Sequence, residues 1–156
     1  MKNLKNLVVV AVLALFSNFA SAQNTAPVNQ EGIANGGYDV VSYFTVNKAT
    51  KGSQKFTVEQ NGAKYYFASA KNQKAFKANP KKYLPVCDGY CAWGVSEKQS
   101  KFPVNPETFK IVDGKLYLFF NGDFNGTPFN TLNEWNKDEK KQLNNIDAAW
   151  NKLKKS

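Results

Sequence analysis

Two dipeptides constrain what this chain can fold into. Asn61-Gly62 lies between Phe56-Thr57-Val58-Glu59 and Lys64–Phe67, and Asp113-Gly114 lies between Phe109-Lys110-Ile111-Val112 and Leu116–Phe120. A two-residue hairpin turn needs positive φ at both central positions, which Asn-Gly and Asp-Gly tolerate best, so each dipeptide marks an antiparallel strand pair. In the final arm the alternation lapses, because Leu116 to Phe120 are all apolar. A strand covered on both faces has that pattern. Helices are expected around the hairpins. Ser69 can cap one that runs to about Ala78 and stops at Asn79-Pro80. Tyr38–Phe44 reads as a short apolar turn or helix. Thr131-x-x-Glu134 has the form of a capping box, opening a helix on which Leu143, Ile146, Trp150 and Leu153 share one face. The fold class is therefore α+β, a small antiparallel sheet of two hairpins covered by helices.

At 156 residues the chain has room for one domain. Residues 1–22 read as a signal peptide: Lys2 and Lys5 give a basic start, Leu7–Phe16 an apolar run too short to span a membrane comfortably, and Ala20-Ser21-Ala22 a small-residue cleavage site. Residues 23–36 are polar and read as a tether, which leaves 37–155 as a single domain. The expected location is exported, either periplasmic or secreted. After removal of the signal no second long apolar run remains, so no membrane-spanning segment is expected.

The composition excludes more chemistry than it suggests. All 21 basic residues are lysine, histidine is absent and the single methionine is Met1. Histidine triads, His-ligated zinc and His/Met haem ligation are thus unavailable, and so is an arginine clamp on phosphate. Neither haem nor nucleotide is expected as a cofactor. Nucleic acid is not expected as a partner, since arginine supplies the bidentate reading of guanine. The formal net charge of +9 reads first as a solvated surface. With neither a histidine base nor a recognisable carboxylate pair, the chain reads as non-enzymatic rather than as a hydrolase. Asn125-Gly126-Thr127 has the form of a glycosylation sequon.

One segment carries reactive groups, Cys87-Asp88-Gly89-Tyr90-Cys91, followed by Ala92-Trp93-Gly94. Three readings stand side by side. An oxidising compartment and an even cysteine count allow a Cys87–Cys91 disulfide. Two thiolates also suit a soft metal such as Cu(I). Alternatively the two thiols are unrelated, one of them buried as a small hydrophobe. Tyr90 and Trp93 flank the cysteines, either limiting solvent at a thiol site or lining a groove for a ligand. A module that binds a small ligand or partner, with incidental cysteines, is the alternative to a thiol site.

Several stretches carry a family resemblance. Gly37–Phe44 (GYDVVSYF), Lys51-Gly52-Ser53, Tyr65–Ser69 (YYFAS), Asn72, Phe76, Asn79–Pro85 (NPKKYLP), Gly89–Ser96 (GYCAWGVS) and Phe109–Leu118 (FKIVDGKLYL) occur in that order. Together, from Gly37 to Trp150-Asn151, they resemble the exported bacterial YHS domain-containing (seleno)proteins. The resemblance implies a small α+β module of a kind associated with heavy-metal handling, notably of copper. The metal-type pattern places cysteines where this chain has Ala68 and Asn72. The cysteine of the Gly-Tyr-Cys-Ala stretch is kept as Cys91, while Cys87 and Asp88 replace an aromatic residue and a glycine. By that resemblance Cys91 is the chemically used position, as nucleophile or first ligand, and Cys87 the resolving thiol or second ligand.

Overall fold

The computed structural model describes residues 26–155. The expected signal peptide and residues 23–25 of the expected tether lie outside them. Elements follow in the order α1 (Ser42–Thr45), β1 (Ser53–Gln60), β2 (Ala63–Phe67), α2 (Ala70–Ala78), α3 (Pro80–Tyr83), α4 (Ala92–Lys98), β3 (Asn105–Val112), β4 (Lys115–Phe119), β5 (Asn121–Phe124), β6 (Thr127–Asn130), α5 (Thr131–Lys137) and α6 (Glu139–Leu153). Short 3-10 turns at Asn35–Gly37 and Val86–Gly89 complete the order.

The α+β class holds. Both expected hairpins form, with Asn61-Gly62 and Asp113-Gly114 at positive φ as the turn type demands. They do not join into one sheet, however. Among the described residues there are three separate two-stranded antiparallel pairs, β1–β2, β3–β4 and β5–β6. The third turns on Asn125-Gly126, again with both residues at positive φ.

Helix α2 starts and ends where the sequence indicates. The Ser69 hydroxyl accepts the Asn72 N–H at 3.1 Å, and Asn79-Pro80 closes the helix. The expected C-terminal helix is instead two. Asn130, not Thr131, caps α5 by accepting the Leu132 N–H, and the chain breaks at Asp138, whose carboxylate caps α6 through the Lys141 N–H. Asp138 is non-helical (φ −152°, ψ 68°), so it starts a new helix instead of continuing the old one.

The segment read as a tether is tied down from Ala26 onward. Ile33, Ala34 and Asn35 are buried, and Ile33 bridges in parallel to Lys64 at the end of the first hairpin. Two main cores result. Val40, Val41, Tyr65, Phe67 and Phe76 pack together in the first half. In the second, Val95, Tyr117, Phe119, Trp135 and Ile146 enclose Cys87. Leu116, Tyr117, Leu118 and Phe119 are all buried, as expected of a doubly covered strand. No helix among the described residues is long and apolar enough to cross a membrane.

Candidate functional site

The two cysteines sit in different surroundings and are not joined; both are free and buried. Cys87 and Asp88 occupy consecutive left-handed positions (φ 57° and 53°), a costly conformation for non-glycine residues. This turn places Cys87 in the second core beside Tyr117 and Trp135. Burial pushes its thiol well above the ordinary range, and the carboxylates of Asp88 and Asp147 push it further. Cys87 is therefore a neutral thiol at physiological pH.

Cys91 is fully buried at the start of α4. Its sulfur accepts the N–H groups of Gly94 and Phe120, each at 3.4 Å, and stands 3.2 Å from the Thr131 hydroxyl. That hydroxyl donates to the Phe120 carbonyl at 3.0 Å. A hydroxyl has a single proton to give, so the thiol proton is directed at Thr131. The Cys91 N–H meanwhile donates to the Phe102 carbonyl at 3.0 Å. One residue thus ties together α4, the segment before β3, the end of β4 and the start of α5. Its hydrogen-bonding capacity is spent on the fold.

Those four segments, with the β5–β6 hairpin, line a half-open cavity of about 600 Å³. Trp93, Phe102, Phe120, Phe124 and Phe129 supply aromatic walls, and Lys98, Asp123 and Thr131 the polar groups. The volume suits a small organic ligand, as does an apolar wall with few polar groups. The walls are positioned by specific packing. A Cβ on Gly94 would lie 2.4 Å from the Phe102 ring, so a glycine is what lets that ring lie against α4. Trp93 and Phe129 meet edge-on at 5.7 Å. Phe124 is 52% exposed, unusual for so large an apolar side chain.

Of the flanking residues read from sequence, only Trp93 reaches this cavity. Tyr90 packs towards Trp150 in α6, with ring centroids 6.1 Å apart, and does not line it. The remaining lining residues escaped sequence reading because they come from separate segments between residues 93 and 131. Asn125-Gly126 was the one available signal, since it marks the hairpin that carries Phe124 and Phe129.

The first half of the domain holds a different buried network. Asp39 is fully buried; its Oδ1 accepts the Val41 N–H at 2.8 Å. Its Oδ2 accepts the Ala68 N–H at 2.9 Å and the Asn72 side-chain amide at 2.7 Å. These are the two positions where the resemblance to metal-type relatives would place thiols. Here they satisfy a carboxylate and tie the end of β2 and the start of α2 to the loop before α1.

A YHS domain is found at residues 41–86. No curated protein and no solved structure matches the chain. The YHS match is consistent with a general metal-binding role. It ends one residue before Cys87, and residues 41–86 contain no cysteine, histidine or methionine. Among the described residues no three His, Cys, Asp or Glu side chains stand together as a metal site. The donors of the matched segment therefore do not fit a metal ion.

Proposed function

We propose that this chain is an exported, non-catalytic YHS-type module that binds a small apolar ligand in the aromatic cavity beside Trp93. The cavity carries the reading: about 600 Å³, walled by aromatic side chains and braced from behind by a cysteine whose hydrogen bonds are all internal. Export is supported by the basic, apolar and small-residue order of residues 1–22. A second reading keeps Cys91 and Cys87 as a thiol pair for redox or soft-metal chemistry. It draws support from the close spacing of the two cysteines in one short loop, Cys87-Asp88-Gly89-Tyr90-Cys91. The first reading is preferred because Cys87 is held neutral by burial and Cys91 is committed to three neighbouring groups.

The native intact mass of protein purified from the exported fraction separates the two. The expected result is a chain beginning at Gln23 that carries an organic adduct and has both thiols free. A copper-sized increment, or a mass two hydrogens light that reductant restores, would instead favour the thiol site.

A further inference from the structure

The charged groups around the cavity narrow the ligand class. Lys98 lines the cavity from the last turn of α4, with its ammonium 5.1 Å from the centre of the Trp93 ring. The acids on this side of the molecule are committed elsewhere. Glu97 pairs with Lys141 at 3.0 Å and accepts the Gln142 amide, Glu134 pairs with Lys137 at 2.7 Å, and Glu139 pairs with Lys110. Asp138 caps α6. Asp123, the other charged lining residue, accepts the Gly126 N–H at 2.9 Å and so holds the β5–β6 turn. Among the described residues no carboxylate stands within ion-pair distance of Lys98.

Lys98 lies over the Trp93 ring and feels Glu97 only at longer range. A cavity with apolar walls and, at its edge, a cation that no carboxylate pairs directly is complementary to an amphipathic anion. We infer that its ligand is a single-chain carboxylate of fatty-acid type, its chain lying among Phe102, Phe120 and Phe129 and its carboxylate meeting Lys98. This inference rests on the reading of the cavity as a ligand site. Affinity then has two separable parts. The chain contributes about fourfold per buried methylene, and the head group contributes a smaller, salt-sensitive part through a partly exposed cation.

The test titrates the purified protein with decanoate and with 1-decanol, read by calorimetry and by the change in total tryptophan emission, in wild type, Lys98→Met and Lys98→Arg. Lys98 is exposed, so both variants should fold. The expected result is that Lys98→Met weakens decanoate about fivefold, leaves decanol unchanged and removes the salt dependence, while Lys98→Arg retains decanoate affinity. If Lys98→Met leaves decanoate unaffected, or weakens both ligands alike, the head-group assignment is overturned and the apolar site stands. If neither ligand binds wild type, the ligand site itself is overturned.

Discussion

The chemistry of this chain turns on how one atom is occupied. The Cys91 sulfur accepts two backbone N–H groups and directs its proton at Thr131, which makes it a clamp among the segments that form the cavity wall. Replacement by alanine leaves the buried Gly94 N–H without an acceptor, at about 1–3 kcal/mol, and the partly buried Phe120 N–H likewise at a smaller cost. Cys91→Ala should therefore lower the denaturation midpoint clearly, whereas Cys91→Ser, which retains an acceptor, should cost much less. Equal losses in chemical denaturation would show that packing volume, not hydrogen bonding, fixes this position.

Buried acids also set a pH limit on stability. Burial raises Cys87, Tyr43 and Tyr65 above their ordinary values of 9.0 and 10.0. The unfolded chain then releases these protons at lower pH than the folded one does. Their contribution is complete below pH 9 and is lost as pH rises beyond it, by up to about 1.4 kcal/mol per pH unit for each group. Urea midpoints measured from pH 7 to 11 should fall from about pH 9 onward. Cys87→Ala should delay that fall towards pH 10. An alkaline profile unchanged in that variant would contradict the burial assigned to Cys87.

At the level of elements, turn chemistry was legible wherever flanking alternation accompanied it. Asn61-Gly62 and Asp113-Gly114 stand between strand-like runs, and both hairpins form. Asn125-Gly126 carries the same signal, but Asp123-Phe124 and Thr127-Pro128 lack the alternation, so a sequon was the more visible reading. The break at Asp138 was obscured by an apolar periodicity that is regular only from Leu143 onward. The β5–β6 hairpin is largely exposed, so its turn should be separable from global stability. Gly126 has φ +80° with open space around its Cβ position. Gly126→Ala should cost about 1 kcal/mol of local strain and weaken ligand binding through Phe124 and Phe129, with the thermal midpoint nearly unchanged. A large fall in that midpoint would mean that the hairpin belongs to the global folding unit.

For the molecule as a whole, each half has its own main core, the two are joined where Tyr43 packs with Leu116 and Leu118, and they use polar chemistry differently. The first half contains the YHS match and buries Asp39 beside it, where its carboxylate accepts from Ala68 and Asn72. The second half carries both cysteines and the cavity. The two cysteines, the turn dipeptides and the YHS stretch at residues 41–86 were legible because each is local in sequence. The cavity is not local. Trp93, Phe102, Phe120 and Phe129 become neighbours only when Gly94 admits the Phe102 ring and Cys91 draws three chain segments together. Aromatic content alone could not distinguish such walls from ordinary core.

The central claim is that the aromatic cavity, and not the thiol pair, is where this molecule meets its ligand. Amide and indole chemical shifts followed during titration with 1-decanol test it most directly. Saturable shifts are expected, confined to Trp93, Phe102, Phe120, Phe129 and Thr131, with Cys87 and its neighbours in the core undisturbed. Absence of saturation at these residues, together with a stoichiometric response of Cys87 and Cys91 to Cu(I), would contradict it.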